Sequence, residues 1–131
     1  MNILIIDAEE DTADSLAKML QGWDHNVVRV STDAEAIAKS KQSFFEVVLM
    51  ELVLKGMPVY QIIPDLKLYN PGVSVITMTR ENSPDLEKKA RERGISFYTG
   101  KPVDRGLLKQ ILDQLTIFHL NSGDWKMVAP F

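Results

Sequence analysis

The sequence predicts a three-layer α/β sandwich in which a parallel sheet lies between two layers of helices. Strand and helix patterns alternate five times, and the first strand candidate, Ile3–Ile6, is a continuous apolar run, as in strands that are buried on both faces. Parallel strands need crossover connections, and right-handed crossovers place helices on both faces of the sheet. We therefore expect one domain over residues 1–118 and a C-terminal tail or linker over residues 119–131.

The five predicted strands end at polar residues or at turns. They cover residues 3–6, 27–30, 46–50, 73–78 and 95–98. The first strand runs into Asp7, the third into Glu51 and the fourth into Thr79. A polar residue at the end of a buried strand marks the place where the chain reaches the edge of the sheet.

Helical periodicity separates these strands. The first and fifth helices carry apolar stripes at i, i+3, i+4 and i+7, which are Ala13, Leu16, Ala17 and Leu20, and Leu108, Ile111, Leu112 and Leu115. Asp11 is a candidate cap for the first helix. Pro58 fits the first turn of a third helix, and Pro64 indicates a kink or a later start. Ser83 and Pro84 open the fourth helix as its cap and first residue.

Composition excludes several kinds of site and partner. The 131 residues are 45% hydrophobic with a net charge of −3, and no basic run exceeds two residues, which argues against direct nucleic-acid binding. There is no cysteine, and His25 and His119 lack metal-ligand spacing. No apolar stretch approaches the roughly 20 residues of a membrane span. The N-terminus lacks the basic segment of a signal peptide, so we expect a cytoplasmic protein without membrane contact.

Functional side chains of open parallel sheets gather beyond the carboxyl ends of the strands. At these ends the sequence places Asp7, Glu51, Thr79 and Lys101. A carboxylate can attack phosphorus, acidic neighbours can hold Mg²⁺, and a hydroxyl and an ammonium can bind phosphoryl oxygens. Any one of these residues alone is more simply explained as a polar strand end. Together, in this order, they predict a phosphate-handling site.

Four motifs resemble the receiver domains of two-component response regulators, over residues 1 to about 116. They are Ile3-Leu4-Ile5-Ile6-Asp7-Ala8-Glu9, Val47-Val48-Leu49-Met50-Glu51-Leu52, Val75-Ile76-Thr77-Met78-Thr79 and Tyr98-Thr99-Gly100-Lys101-Pro102. The resemblance implies a flavodoxin-like (βα)5 fold with strand order 2-1-3-4-5 and a cis bond between Lys101 and Pro102.

The resemblance also implies roles for the residues at the strand ends. In that family an aspartate takes a phosphoryl group from a histidine kinase in the presence of Mg²⁺, and a switch pair then moves. Glu51 falls at the phosphoacceptor position, Asp7 in the acidic pocket, and Thr79, Tyr98 and Lys101 in the phosphate pocket and switch. The alternative for Tyr98 is simple packing at a strand end.

The resemblance further implies a protein partner. The face formed by the fourth helix, the fifth strand and the fifth helix passes the signal on in that family. We therefore expect this face to bind a histidine kinase or an effector protein, or a second copy in a homodimer.

Three residues depart from the family's pattern at the site itself. Ala8 stands where a second acid is usual, Glu51 where the acceptor aspartate is usual, and Arg80 where a small residue is usual. The predicted site has two carboxylates, Asp7 and Glu51, and one ammonium, Lys101, so its charge is close to neutral without a metal. We therefore expect no cofactor and only weak binding of Mg²⁺.

Two charged residues beside the site leave alternatives open. Arg80 either pairs with Glu51 or Asp7, or is a solvated loop residue. Glu9 is either a replacement metal ligand or a partner for the dipole of the first helix.

These observations predict a phosphorylation-independent signalling switch. The Glu51 side chain is longer than aspartate by one C–C bond, about 1.5 Å, which moves its charge toward Lys101 and Thr79 and lets it imitate phosphoaspartate. An inert scaffold and residual phosphorylation elsewhere are the alternatives.

Enzymatic and cofactor-binding functions are disfavoured by the segment after the first strand. A phosphatase with Asp7 as nucleophile would need an Asp-x-Asp-x-Thr motif, which this chain lacks. A flavin-binding module would need a phosphate loop, whereas Ala8-Glu9-Glu10-Asp11 would repel phosphate. We expect no enzymatic activity.

Overall fold

A computed structural model describes residues 1–81 and 83–122 of the chain. The strands are β1 (Asn2–Ile6), β2 (Asn26–Val30), β3 (Val47–Glu51), β4 (Val53–Leu54), β5 (Met57–Pro58), β6 (Ser74–Thr79) and β7 (Phe97–Gly100). The α-helices are α1 (Glu10–Gly22), α2 (Asp33–Gln42), α3 (Ile63–Tyr69), α4 (Pro84–Glu92) and α5 (Arg105–Ser122), and a 3-10 turn, Tyr60–Ile62, precedes α3.

Five of these strands form one parallel sheet in the order β2-β1-β3-β6-β7. Numbered within the sheet alone, this is the order 2-1-3-4-5, so the predicted topology is confirmed. The two remaining strands, β4 and β5, pair with each other as a short antiparallel hairpin directly after β3.

Alternation along the buried strands builds a core on each face of the sheet. Ile3 and Ile5 of β1 pack with α1 and α5, whereas Leu4 and Ile6 pack with α2, α3 and α4. These four side chains are completely buried, and burying one such side chain contributes roughly 1.5–3 kcal/mol to stability. The predicted three-layer sandwich is confirmed.

The structure corrects two local predictions from the sequence. Glu9, not Asp11, is the residue before the first turn of α1. Pro58 lies in β5 and not in a helix, because Lys55 and Gly56 both have positive φ, 49° and 79°, and turn the chain back into a hairpin. The later start that Pro64 indicated is confirmed, since α3 begins at Ile63.

Helix α5 continues past the predicted end of the domain at residue 118. It runs to Ser122, and His119 within it is buried with its Nε2 atom 2.9 Å from Ser74 Oγ. Residues 119–122 are thus part of the helix, and the remainder of the predicted tail, 123–131, lies outside the described residues. None of the helices in the described ranges has the length and hydropathy needed to span a membrane.

Candidate functional site

The register between β1 and β3 brings two carboxylates together. Ile6 pairs with Met50, so Asp7 and Glu51 stand side by side where the two strands end. Both are buried, with 3% and 5% of their surface exposed. Buried carboxylates need charged or hydrogen-bonding partners, because an unpaired buried charge is strongly unfavourable.

The partner of both carboxylates is the ammonium group of Lys101. The Lys101 side chain is fully buried, and its Nζ atom lies 2.9 Å from Asp7 Oδ2 and 3.2 Å from Glu51 Oε1. A third carboxylate oxygen, Glu9 Oε1, lies 3.3 Å from the same nitrogen. An ammonium has three N–H donors, so three acidic side chains match its capacity. We call these four residues the acidic pocket.

Backbone N–H groups hold the oxygens of Asp7 and Glu51 that face away from Lys101. Asp7 Oδ1 accepts a hydrogen bond from the Glu9 N–H at 2.9 Å. Glu51 Oε2 accepts one from the Val53 N–H at 3.2 Å, at the start of the β4–β5 hairpin. Each carboxylate therefore bridges the ammonium and a loop backbone, which fixes its orientation.

Arg80 and Glu9 form an ion pair at the mouth of the acidic pocket. Arg80 Nε donates to Glu9 Oε1 at 3.1 Å, and Arg80 Nη2 donates to Glu9 Oε2 at 2.9 Å. The Thr12 hydroxyl also donates to Glu9 Oε2, at 3.1 Å. Neither of the two alternatives for Arg80 is correct, because it pairs with Glu9 instead of Glu51 or Asp7 and is therefore more than a solvated loop residue.

The electrostatics of the pocket follow from burial and from these contacts. Burial raises the pKa of Glu51, against the opposing effects of the Val53 N–H and of Lys101. Burial by itself would lower the pKa of Lys101, but the hydrogen bond and charge of Asp7, with those of Glu51, raise it, so the group stays an ammonium. The bond from Arg80 lowers the pKa of Glu9 to about 2.

Thr79 lines the same cleft, whereas Tyr98 is partly buried and packs against the core outside the cleft. Thr79 is 3% exposed and lines the cleft with Asp7 and Glu51, and its Oγ1 accepts a hydrogen bond from the Glu81 N–H at 3.1 Å. The Tyr98 ring packs against the core on the α2, α3 and α4 side. Within the described part of the chain, its buried hydroxyl has no hydrogen-bond partner.

The donor set of the acidic pocket does not fit Mg²⁺. That ion requires near-octahedral oxygen coordination, but Asp7 and Glu51 each direct one oxygen at the Lys101 ammonium and the other at a backbone N–H. Ala8 supplies no side-chain oxygen. Over residues 1–81 and 83–122, no three acidic, histidine or cysteine side chains form a group suited to a metal ion.

Comparison with known proteins identifies the family. The sequence profile of the response regulator receiver domain matches residues 3–113. The chain belongs to this family. The receiver domain of two-component signalling that the four motifs suggested is thereby confirmed, with its flavodoxin-like fold and with the cis bond between Lys101 and Pro102.

The receiver domain is similar to part of a longer curated protein. It is 26% identical over 114 residues to the transcriptional regulatory protein ZraR of Klebsiella oxytoca, covering 87% of this chain and 26% of that protein. The chain thus spans about a quarter of the length of this relative.

Two solved receiver structures share the fold across most of the chain. A two-component response regulator from Clostridium difficile superposes with a TM-score of 0.83 at 20% identity, covering 88% of this chain and 95% of the other. A CheY-like receiver domain from Methanospirillum hungatei JF-1 superposes with a TM-score of 0.81 at 27% identity, covering 88% and 93%.

Most of the residues that the sequence singled out meet in one place. Asp7, Glu51 and Lys101 are in direct contact and Thr79 borders them, whereas Tyr98 does not line the cleft. Sequence reasoning missed the contact between Glu9 and Lys101. The available signal was position, since Glu9 follows the end of β1 by three residues and such positions converge at the edge of a parallel sheet.

Proposed function

We propose that this receiver domain signals without phosphoryl transfer, with Glu51 at the phosphoacceptor position as a built-in imitation of phosphoaspartate. The observation that carries the proposal is the 3.2 Å contact between Glu51 Oε1 and Lys101 Nζ inside a buried pocket. In the family, this lysine pairs with the acyl phosphate. Here the longer glutamate side chain carries its negative charge to Lys101, in place of the phosphoryl oxygens that would pair with the lysine after phosphorylation.

The gross Coulomb energy of this contact is comparable to the energy difference between two conformers of a switch. A charge pair about 4 Å apart in partly shielded surroundings has a Coulomb energy of about 4 kcal/mol before desolvation and ordering are subtracted. Two conformers of a switch differ by only a few kcal/mol. One carboxylate carries less charge than an acyl phosphate, so we propose a partial bias toward one conformation.

The output of the switch would pass through Thr79 and Tyr98. Thr79 borders the acidic pocket, and Tyr98 is on β7, beside α4 in the proposed partner face of α4, β7 and α5. The Tyr98 hydroxyl is buried without a partner in the described residues, which costs roughly 1–3 kcal/mol. A small change near Thr79 could therefore shift this ring, and a protein partner, such as a histidine kinase or an effector, would read the change.

An enzymatic role for Asp7 has less support. Both of its carboxylate oxygens are already engaged, one by Lys101 and the other by the Glu9 N–H. A phosphatase nucleophile would have to give up one of these bonds before it could attack. We propose that the domain works without catalysis and without a cofactor.

The test compares Glu51→Asp and Glu51→Gln with the wild type. Glutamine has one acceptor oxygen and one amide donor, so it cannot serve both Lys101 and the Val53 N–H as Glu51 does. We expect both variants to change amide hydrogen exchange in residues 77–81 and 97–100 by about threefold or more, since 0.7 kcal/mol corresponds to about that factor. The control is Glu46→Gln at the opposite end of the same strand, where Glu46 Oε1 accepts from the Asn2 N–H at 2.9 Å.

Two outcomes would refute the proposal. If neither Glu51 variant alters the exchange around Thr79 and Tyr98, the domain is an inert scaffold. If acetyl phosphate with Mg²⁺ leaves a stable phosphoryl adduct on Glu51 of the wild type, measured by intact mass and peptide mapping, the domain is a phosphoacceptor after all.

A further inference from the structure

The cleft above the acidic pocket is bordered by two loops that carry opposite charges. Glu9 stands in the loop between β1 and α1, and Arg80 in the loop between β6 and α4. Both side chains line the cleft that leads to Asp7 and Glu51. A ligand in this cleft would therefore contact these two residues as well as the buried carboxylates.

The contact between Glu9 and Arg80 differs from the other ion pairs of the described surface. It joins residues 71 positions apart and uses two nitrogens and two oxygens. Bidentate arginine–carboxylate pairs are stronger and better oriented than single contacts. The exposed pair Arg91–Glu87 on α4, by contrast, has one contact of 2.7 Å within a single helix.

Glu9 also connects Arg80 to the centre of the pocket. Its Oε1 atom is 3.1 Å from Arg80 Nε and 3.3 Å from Lys101 Nζ. One carboxylate oxygen is thus shared by two cations. Three carboxylates and two cations leave one negative charge in excess at the pocket. Without Arg80 the excess would be two, so Arg80 lowers the attraction of the pocket for a divalent cation.

We propose that the Glu9–Arg80 pair determines what the acidic pocket admits. It engages the Glu9 carboxylate and keeps the Arg80 charge beside the acids. With Lys101 it disfavours binding of a divalent cation, and so the Mg²⁺-dependent transfer of a phosphoryl group, even when the usual acids are present. This inference rests on the proposed phosphorylation-independent function, but it assigns the exclusion to Arg80 and Glu9 in addition to Ala8 and Glu51.

The test first introduces the family's usual acids at positions 8 and 51 and then removes Arg80. The 131-residue chain with Ala8→Asp/Glu51→Asp is compared with the same chain carrying Arg80→Ala in addition. Binding of Mg²⁺ is measured by isothermal titration calorimetry, and uptake of a phosphoryl group from acetyl phosphate by intact mass. We expect Arg80→Ala to raise Mg²⁺ affinity by about tenfold, the effect of one partly screened unit charge a few ångströms away, and to allow a phosphoryl adduct that the double variant does not form.

A matched control separates this effect from a general loss of positive charge. Arg91→Ala in the same double variant removes an arginine whose side chain is 54% exposed, as that of Arg80 is, but which pairs within α4. It should leave Mg²⁺ affinity within twofold. If Ala8→Asp does not fold, the comparison of Glu51→Asp with Glu51→Asp/Arg80→Ala, each next to its Arg91→Ala counterpart, tests the same point.

The failure of this inference can be told apart from the failure of the proposed function. If the double variant with Arg80 intact binds Mg²⁺ as tightly as the triple variant and accepts a phosphoryl group, the Glu9–Arg80 pair does not control access, and the role of Glu51 in the wild type is unaffected. If the wild type itself is phosphorylated on Glu51, the proposed function fails instead.

Discussion

We call the side of the sheet where the parallel strands end the carboxyl edge, and the side where they begin the amino edge. The two sides bury polar groups in different ways. At the carboxyl edge, Lys101 is surrounded by three carboxylates from two segments of the chain, the connection after β1 and the end of β3. At the amino edge, Asn70 is buried and its amide bonds only to backbone, accepting from the Phe45 N–H at 2.8 Å and donating to the Ser40 carbonyl at 3.0 Å. The first arrangement is ionic, and the second is neutral.

The contrast shows which part of the molecule serves stability and which part serves a site. A neutral amide that satisfies two backbone groups holds α2, β3 and α3 in place and has no charge to exchange with a ligand. A cluster of like charges around one ammonium persists only while that ammonium is present, because each carboxylate would otherwise be buried without a partner. The carboxyl edge is therefore the edge where one substitution changes several interactions at once.

Removing the ammonium should have the largest effect. Lys101→Met leaves Asp7 and Glu51 buried without their shared cation, and we expect it to lower the free energy of unfolding by about 3–5 kcal/mol at pH 7. The loss should be smaller at pH 5 than at pH 7, because burial raises the pKa of Glu51 and, once the opposing Lys101 is removed, protonation of this carboxylate as the pH falls relieves the unpaired buried charge. Urea unfolding followed by circular dichroism at both pH values measures this. An equal loss at the two pH values would contradict the ionic account.

Removing the Asn70 side chain at the amino edge should lower the free energy of unfolding somewhat less than Lys101→Met does. Asn70→Ala leaves the Phe45 N–H and the Ser40 carbonyl without their partner, and we expect a loss of roughly 2–3 kcal/mol that does not vary between pH 5 and 7. Asn26→Ala is the control, since Asn26 is exposed and its amide bonds only to Asn2. A pH-dependent loss in Asn70→Ala would show that the two edges are coupled.

The smallest effect on stability is expected for Glu9→Gln, at the exposed side of the acidic pocket. Because Arg80 lowers the pKa of Glu9 from 4.5 to about 2, the folded state gains stability from Glu9 that is present above pH 4.5 and is lost as the pH falls toward 2. Glu9→Gln should remove this part of the acid dependence in urea titrations between pH 5 and 2.5. The Glu9 side chain is 44% exposed, so solvent screening keeps the effect small. Glu92→Gln, whose carboxylate is 4.0 Å from Lys88, should leave the acid dependence as it is.

The sequence predicted the sheet well because its strands are locally unambiguous. Ile3–Ile6 and Val47–Met50 are apolar without interruption, as expected for strands that are buried on both faces. The chain from Pro58 to Pro64 was predicted less well. A proline suits a helix start and an edge strand equally, and the positive φ of Lys55 is unusual for a residue with a Cβ atom.

At the site, the sequence predicted the meeting of Asp7, Glu51 and Lys101 because strand ends converge by topology alone. It did not predict the partner of Arg80. Asp7, Glu9 and Glu51 are all carboxylates near the same edge, and the choice among them depends on loop geometry and side-chain length, which periodicity does not encode. Local sequence therefore specified which residues gather, and only the three-dimensional arrangement specified how they pair.

The lysine at the centre of the acidic pocket is joined to the backbone, unlike a dissolved counterion. A tethered cation has an effective concentration set by the fold, so dilution does not remove it. Chelators and changes in magnesium concentration act on free ions, and they do not remove the Lys101 ammonium from Asp7 and Glu51. The cation that pairs with Asp7 and Glu51 is thus part of the fold and is supplied with the chain itself.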